Sequence, residues 1–206
     1  MKFYRRGEGR WLVLAFLVGL AIMAWREAYP FLARQAPVPA ETLVVEGWVS
    51  DDLLAQAAGW AESNGVKRIV ATGGPLETGG YLIAWKTYAE MTRARMEALG
   101  LGTKFELAAV PAEKVRRGRT RESARALKAA GAAAGAFNVA SEGPHARRSW
   151  RAFRDEFAGQ AEVGSVALEP VAYGGEDWWT CSEGVRAVIS EAIAYVYDVL
   201  PGGGGE

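Results

Sequence analysis

The stretch Ser141–Ser149 combines residue types that could bind and protonate an anion. It follows a short apolar run, and Pro144 suits the first position of a helix because it has no N–H to leave unpaired there. The amides and dipole of a helix start attract negative charge, which Arg147 and Arg148 would reinforce. His145, the only histidine, could donate or accept a proton there, or could make a structural hydrogen bond.

Alternating strand-like and helix-like segments would position this stretch. Short apolar, β-branched runs predict strands at 42–45, 67–72, 105–110, 137–141 and 163–168. Apolar periodicity and capping residues predict helices at about 50–65, 81–99, 120–134, 145–157 and 182–200. Continuous apolar strands separated by helices are typical of a mostly parallel sheet covered on both faces. We therefore predict a three-layer, Rossmann-like α/β fold, whose ligands bind beyond the carboxyl ends of the strands.

The loops at those carboxyl ends carry the other candidate ligand-binding residues. After the first two strands these are Glu46, Gly47, Trp48, Thr72, Gly73 and Gly74. After the third and fourth they are Arg119, Thr120, Ser123, Gly143, Arg147 and Arg148, with His145 as the candidate catalytic residue. Glycine amides can form an anion nest, and arginine forks suit phosphate or carboxylate. The competing interpretations are tight turns for the glycines, a helix cap for Thr120 and a solvated charge run for the arginines.

Several classes of function are disfavoured. The Gly73-Gly74 turn lacks the Gly-Lys-Ser/Thr of a Walker loop and the Gly-x-Gly-x-x-Gly of a dinucleotide site. One cysteine and one histidine cannot build a Cys/His zinc cluster within the chain. Basic and acidic residues balance at 24 each, which argues against non-specific nucleic-acid binding. We expect no metal, no cofactor and no nucleic-acid partner.

The last predicted helix carries a second group of notable residues. Glu191 falls among apolar neighbours, so we expect it to be partly buried and paired with an arginine. Trp178 and Trp179 are interpreted as packing residues rather than a platform for a sugar. Ser182 is a plausible helix cap, and Cys181 is interpreted as structural or incidental.

The N-terminus predicts a membrane anchor. A run of fifteen apolar residues, 11–25, follows four basic residues, namely Lys2, Arg5, Arg6 and Arg10. The run is short for a spanning helix of about 17–25 residues, so a cleaved signal peptide is the alternative. Because neither Ala24 nor Ala33 ends a small-x-small cleavage site, we favour an uncleaved anchor. The positive-inside rule then places residues 2–10 in the cytoplasm and the following domain in the periplasm or cell exterior.

The sequence therefore divides into four parts. Residues 1–34 are a cytoplasmic stub with a single-pass anchor in the inner membrane, and 35–41 form a linker in which two prolines disfavour helix. Residues 42–200 form the α/β domain, and the glycine-rich 201–206 are a flexible tail.

Four short motifs follow one another along residues 42–197. They are Val44-Val45-Glu46-Gly47-Trp48, Thr72-Gly73-Gly74, Thr120-Arg121-Glu122-Ser123-Ala124 and His145-Ala146-Arg147-Arg148. In combination they resemble the ElyC/SanA/YdcF family of bacterial envelope proteins. The family pattern has Asn where Ser123 stands and a glycine string where Glu46-Gly47-Trp48 stands. The chain thus resembles a divergent branch with its own ligand preference.

The resemblance implies a Rossmann-like fold, often one N-terminal anchor, and a role in cell-envelope or surface-polysaccharide biogenesis, without an agreed reaction. Our leading hypothesis is an anchored domain that binds an anionic, phosphate-bearing small molecule or lipid-linked precursor. Phosphoryl or glycosyl-phosphate chemistry would be the natural reaction class. The alternatives are a non-catalytic factor that binds or assembles envelope-biosynthesis enzymes, and a binder of a nucleoside-type ligand such as S-adenosylmethionine.

Overall fold

Five parallel strands form one sheet in the computed structural model, which describes residues 8–200. The strands are β1 (Thr42–Glu46), β2 (Arg68–Gly73), β3 (Glu106–Pro111), β4 (Phe137–Glu142) and β5 (Val163–Leu168). The helices are α1 (Glu8–Leu32), α2 (Asp51–Ser63), α3 (Tyr88–Ala98), α4 (Arg119–Ala129), α5 (Ala146–Glu156) and α6 (Ser182–Val199). The Rossmann-like fold is confirmed; the predictions for residues 2–6 and for the 201–206 tail fall outside the described residues.

Helices cover both faces of the sheet because the strands are apolar on both sides. Leu43 and Val45 pack with α2 and α3, whereas the alternate residues Val44 and Val139 pack with α4 and α5. Successive side chains of a strand point to opposite faces, so one continuous apolar run supplies both cores.

The strand order is β3-β2-β1-β4-β5. The chain first builds outward from β1 through β2 to β3, and then returns to place β4 on the other side of β1. The order therefore reverses between β1 and β4, where Val45 lies beside Ala140. Loops that leave these two strands diverge, and the crevice between them is where such folds bind ligands.

Two predicted helix boundaries and one predicted helix cap are wrong. Helix α3 begins at Tyr88 rather than 81, because Thr87 and Glu90 form a reciprocal capping box and residues 81–86 form a loop. Helix α4 ends at Ala129 rather than 134, followed by Gly131 in the left-handed region at φ 60°. The cap of α6 is Cys181, whose sulfur accepts the Gly184 N–H, and not Ser182.

Helix α1 is long and apolar enough to cross a membrane. The candidate span covers Gly9–Leu32, has a mean hydropathy of 1.7 and is buried nowhere in its most apolar window; a signal sequence can pass the same test. Its last turn belongs to the domain, because Tyr29 and Leu32 are buried in a cluster with Trp178. The Trp178 ring also lies 4.4 Å from that of Trp25, which confirms the packing interpretation of this tryptophan.

The predicted linker runs antiparallel along the outer edge of β5. Ala36 exchanges two backbone hydrogen bonds with Ser165. The Asn138 side chain of β4 reaches across β5, accepts the Val38 N–H and donates to the Val38 carbonyl, both at 2.8 Å. Gly164 makes this passage possible, since a Cβ there would lie 2.0 Å from the Asn138 oxygen. The linker thus descends from the carboxyl edge of the sheet to its amino edge, where β1 begins.

Candidate functional site

A buried imidazole lies between two carboxylates where the strand order reverses. Nε2 of His145 is 3.6 Å from Oε2 of Glu46, the last residue of β1. Nδ1 of His145 is 3.0 Å from Oε1 of Glu191, which α6 supplies. His145 itself ends the short turn that joins β4 to α5. Three separate elements therefore position one charged group.

Two serines complete the environment of Glu46. Ser141, near the end of β4, and Ser149, in the first turns of α5, donate their hydroxyls to Oε2 of Glu46 at 2.5 and 2.6 Å. Glu46 is only 3% exposed. A carboxylate that is buried to this degree needs hydrogen-bond donors from the protein, because water does not solvate it. Both serines lie within the stretch singled out from the sequence, but sequence reasoning gave neither of them a role.

Arg148 extends the ionic cluster toward α6. Its guanidinium fork contacts both oxygens of Glu191, with Nε 2.8 Å from Oε2 and Nη2 3.0 Å from Oε1. The predicted pairing of Glu191 with an arginine is confirmed. Nη2 also lies 3.0 Å from Nδ1 of His145, and Asp198 lies 3.8 Å from Nη1. Because two cations share Glu191, its charge is well compensated.

The two carboxylates keep His145 protonated at neutral pH. Burial alone lowers the pKa of His145, but the charge of Glu46 and the hydrogen bonds of Glu191 and Glu46 outweigh it and raise the pKa to about 9. Burial favours a higher pKa for Glu191, yet His145 and Arg148 bring it down to about 2. The pKa of Glu46 is likewise lowered, mainly by His145 against the effect of burial. The imidazolium can donate a proton or hydrogen bond rather than accept one.

Thr120 and Trp48 flank the imidazole. Oγ1 of Thr120 lies 3.5 Å from Nε2 of His145, and the Trp48 ring meets the imidazole edge-on at 5.3 Å between centroids. Thr120, His145 and Glu191 follow the hydroxyl, imidazole, carboxylate order of hydrolase triads. A protonated imidazole cannot take the proton of a hydroxyl, so this arrangement does not activate Thr120 as a nucleophile.

The start of α4 lies beside this group. The helix begins after Gly118, and no side chain in the described part of the chain caps it. Thr120 is its second residue, so the first amides of α4 lie close to Nε2 of His145. A helix start of this kind favours an anion through its free N–H groups and its dipole. Ser123, one turn further on, is buried.

The glycine turns provide room for α3. A Cβ at Gly47 would lie 2.6 Å from the Tyr88 carbonyl oxygen, and one at Gly73 would lie 2.7 Å from the Tyr88 Cβ. Gly74 accepts the Tyr88 N–H through its carbonyl, and the Thr72 hydroxyl is turned to the backbone of β1. These residues lie at the predicted edge, and the contacts of Gly47 and Gly73 account for both glycines by packing.

The structure does not bring every predicted arginine to His145. Arg119 is exposed and pairs with Glu77. The guanidinium of Arg147 lies 4.0 Å from the centre of the Phe31 ring and donates to the Phe31 carbonyl, so it contacts α1. Gly143 is also covered by α1, since a Cβ there would lie 2.5 Å from the Tyr29 hydroxyl oxygen.

Removing one of the serine donors should weaken the cluster without dismantling it. We expect Ser149→Ala to lower the free energy of unfolding by about 1–2 kcal/mol, because one hydrogen bond to a buried carboxylate is lost while Ser141 remains. Urea unfolding of the full chain in detergent micelles measures this. Ser63→Ala, which removes an exposed hydroxyl from the end of α2, is the control and should change the value by less than about 0.5 kcal/mol. Equal losses in the two variants would contradict the role assigned to Ser149.

Together, the fold and the cluster define a class: a Rossmann-like α/β domain with a buried ionic site at its strand-order reversal, behind one helix able to span a membrane. No protein-family model matches the chain, and no curated protein or solved structure matches it either. The resemblance to the ElyC/SanA/YdcF family stays a prediction.

Proposed function

We propose that this chain is a membrane-anchored protein of cell-envelope biogenesis that binds an anionic, phosphate-bearing precursor of cell-wall or surface-polysaccharide synthesis. The observation that carries the proposal is the protonated imidazole of His145, 3.5 Å from Thr120 at the uncapped start of α4. Backbone amides, a hydroxyl and an imidazolium are three kinds of donor that a phosphate group accepts.

The cluster behind the imidazole determines its role. Glu46 and Glu191 orient the ring and keep it charged, so a fixed positive charge stands beside Thr120 and the start of α4. A charge that is already in place needs no reorganisation when negative charge develops. If the bound precursor reacts, His145 would protonate a leaving oxygen in a phosphoryl or glycosyl-phosphate transfer, with Thr120 and the α4 amides holding the phosphate.

The protein would act at the membrane. Helix α1 would cross the inner membrane once and place the α/β domain on its periplasmic or extracytoplasmic side, as the basic residues before it predict. Its partners would be the membrane itself, the precursor and the enzymes of envelope biosynthesis.

A second candidate is a non-catalytic binding or assembly factor. It is favoured by the internal satisfaction of the cluster, since Glu46 accepts from Ser141 and Ser149 and Glu191 accepts from His145 and Arg148. Groups that are fully paired with one another can hold a binding surface rigid without taking part in a reaction.

Thermal unfolding of the full chain in detergent micelles tests phosphate binding. Inorganic phosphate, polyprenyl-phosphate head-group analogues, sugar nucleotides and S-adenosylmethionine are compared at saturating concentration. We expect the phosphate compounds to raise Tm, because a ligand at a hundredfold excess over its Kd stabilises by about 3 kcal/mol. Thr120→Val should remove most of the shift, because it deletes the hydroxyl beside Nε2 while keeping the shape of the side chain.

The matched control is Thr103→Val, whose exposed hydroxyl lies on the amino side of the sheet before β3 and should leave the shift unchanged. A shift that survives in Thr120→Val, or no shift with any phosphate compound, would overturn the anion site. His145→Gln separates the two candidates: an enzyme should lose turnover with binding largely kept, and a binding factor should lose affinity or nothing.

A further inference from the structure

Outside α1 and α6, the exposed apolar side chains of the domain gather on one edge, and α6 exposes six more between Ile189 and Leu200. Between α1 and α6, in residues 33–181, eight large hydrophobic side chains are exposed. Seven belong to loops at the carboxyl edge of the sheet: Trp48 after β1, four between Tyr81 and Trp85 after β2, and Val171 and Trp179 after β5. Only Leu99, after α3, lies at the amino edge. An apolar edge of this kind indicates a contact surface.

The loop after β2 is built to hold its apolar tip outward. Leu76 donates its N–H to the Lys86 carbonyl at the neck of the loop. The Lys86 ammonium then bonds to the Gly80 and Ile83 carbonyls at 2.8 and 3.1 Å, which closes the loop from within. Tyr81 and Leu82 are left 87% and 77% exposed at its tip. The exposure is therefore a feature of a bonded loop and not of a loose one.

Basic residues accompany this tip. The loop after β3 carries Lys114, Arg116 and Arg117, all exposed, and none of the three pairs with a carboxylate within residues 8–200. Apolar and aromatic side chains on the same edge as these cations match the interface of an anionic bilayer, where rings sit at head-group depth and cations meet lipid phosphates.

Helix α1 leaves the domain at the same edge. Its last turn packs where Tyr29 meets Gly143, just beyond β4, and from there the chain descends antiparallel to β5. The apolar residues 11–24 of α1 are exposed throughout, so no other part of the described structure covers them. The apolar edge is thus continuous with the helix that could cross a membrane.

We infer that the carboxyl edge of the sheet faces the bilayer that α1 crosses, and that the Tyr81–Trp85 loop enters the lipid interface. This inference rests on the membrane anchoring proposed above. It adds an orientation: the His145 site opens toward the lipid head groups, because Trp48, which touches the imidazole, belongs to the same edge. A lipid-borne phosphate would then reach the start of α4 along the membrane surface.

The depth of the loop can be measured in the full chain. Cys181→Ser removes the only cysteine and keeps a good cap for α6, since serine is a preferred residue at that position. In that background, Leu82→Cys and Gln160→Cys each receive the same environment-sensitive fluorophore. Gln160 is exposed in the loop before β5, at the amino edge, and serves as the matched control. Both proteins are reconstituted into phosphatidylcholine vesicles that contain phosphatidylglycerol, with and without spin-labelled lipid.

We expect the fluorophore at position 82 to emit at shorter wavelength and to be quenched by the spin-labelled lipid, and the one at 160 to behave as in water. Because the dye is the same at both positions, its own affinity for lipid cancels. Equal emission and quenching at 82 and 160 in an incorporated chain would overturn the inference alone. A chain that does not enter the vesicles would overturn the anchor as well. Neither outcome depends on whether the site binds phosphate.

Discussion

Replacing Glu46 by alanine is expected to lower the free energy of unfolding by about 3–5 kcal/mol. The variant removes the carboxylate that His145, Ser141 and Ser149 share. The imidazolium would keep only Glu191, and two buried hydroxyls would lose their acceptor at a cost of about 1–3 kcal/mol each. His145 can offset part of the loss by releasing its proton, since its pKa falls when Glu46 is gone.

Urea unfolding of the full chain in micelles gives the value, and Glu41 supplies the control. Glu41 lies just before β1, as Glu46 lies at its end, but it pairs with Lys67 on the surface. Glu41→Ala should therefore cost less than about 1 kcal/mol. Glu46→Gln keeps an acceptor for the two serines and loses the charge, so we expect an intermediate cost. A Glu46→Ala variant as stable as Glu41→Ala would refute the buried cluster.

The second large effect is a loss of stability in mild alkali. His145 titrates at about 6.5 when unfolded and at about 9 when folded, so between these values the folded state holds more proton than the unfolded state. Its contribution is complete below about pH 6.5 and is lost as the pH rises to about 9. The difference between the two pKa values corresponds to about 3 kcal/mol. Unfolding free energies measured from pH 6 to 9 should fall by about that amount.

The variant His145→Gln should be less stable at pH 6.5 and should show almost no change up to pH 9. Tyr173 does not interfere in this interval, because burial and the nearby charge of Glu142 hold its pKa above the ordinary value of about 10. On the acid side Glu191 acts in the opposite sense: its folded pKa of about 2 is below the unfolded value, so its contribution is lost as the pH falls below about 4.5. The same alkaline slope in the variant would show that another group titrates.

The sequence predicted the sheet well because its strands carry a local signal. Each strand is a short apolar run, and the predicted and observed bounds of β5 coincide at 163–168. The start of α2 was equally readable, since Ser50 accepts the Leu53 N–H as a cap. The error at α3 was avoidable: Thr87 and Glu90 have the spacing of a capping box, and that signal outranks the apolar content of 81–86.

The site was predicted in part. His145 and Glu46 were both placed at the carboxyl edge, because the residues that follow each predicted strand can be read directly from the sequence. Their direct contact could not be predicted, since it depends on β1 lying beside β4. Glu46 on β1 and Ser141 on β4 are 95 residues apart in the sequence. A glutamate that ends a buried apolar strand does imply a nearby cation, and the only histidine was the obvious candidate. Arg147 turned to Phe31 because α1 packs there, which no local pattern indicates.

The linker on β5 has a further consequence. A parallel sheet ends in two strands whose free N–H and C=O groups can pair with any other extended chain, and this is a common route to edge-to-edge aggregation. On the β5 side, Ala36 pairs with some of these backbone groups of β5, and the Asn138 side chain holds Val38 beside the same edge strand. The segment that connects the domain to α1 therefore also protects the β5 edge. Detaching it would expose an aggregation-prone strand edge and would also release the domain from α1.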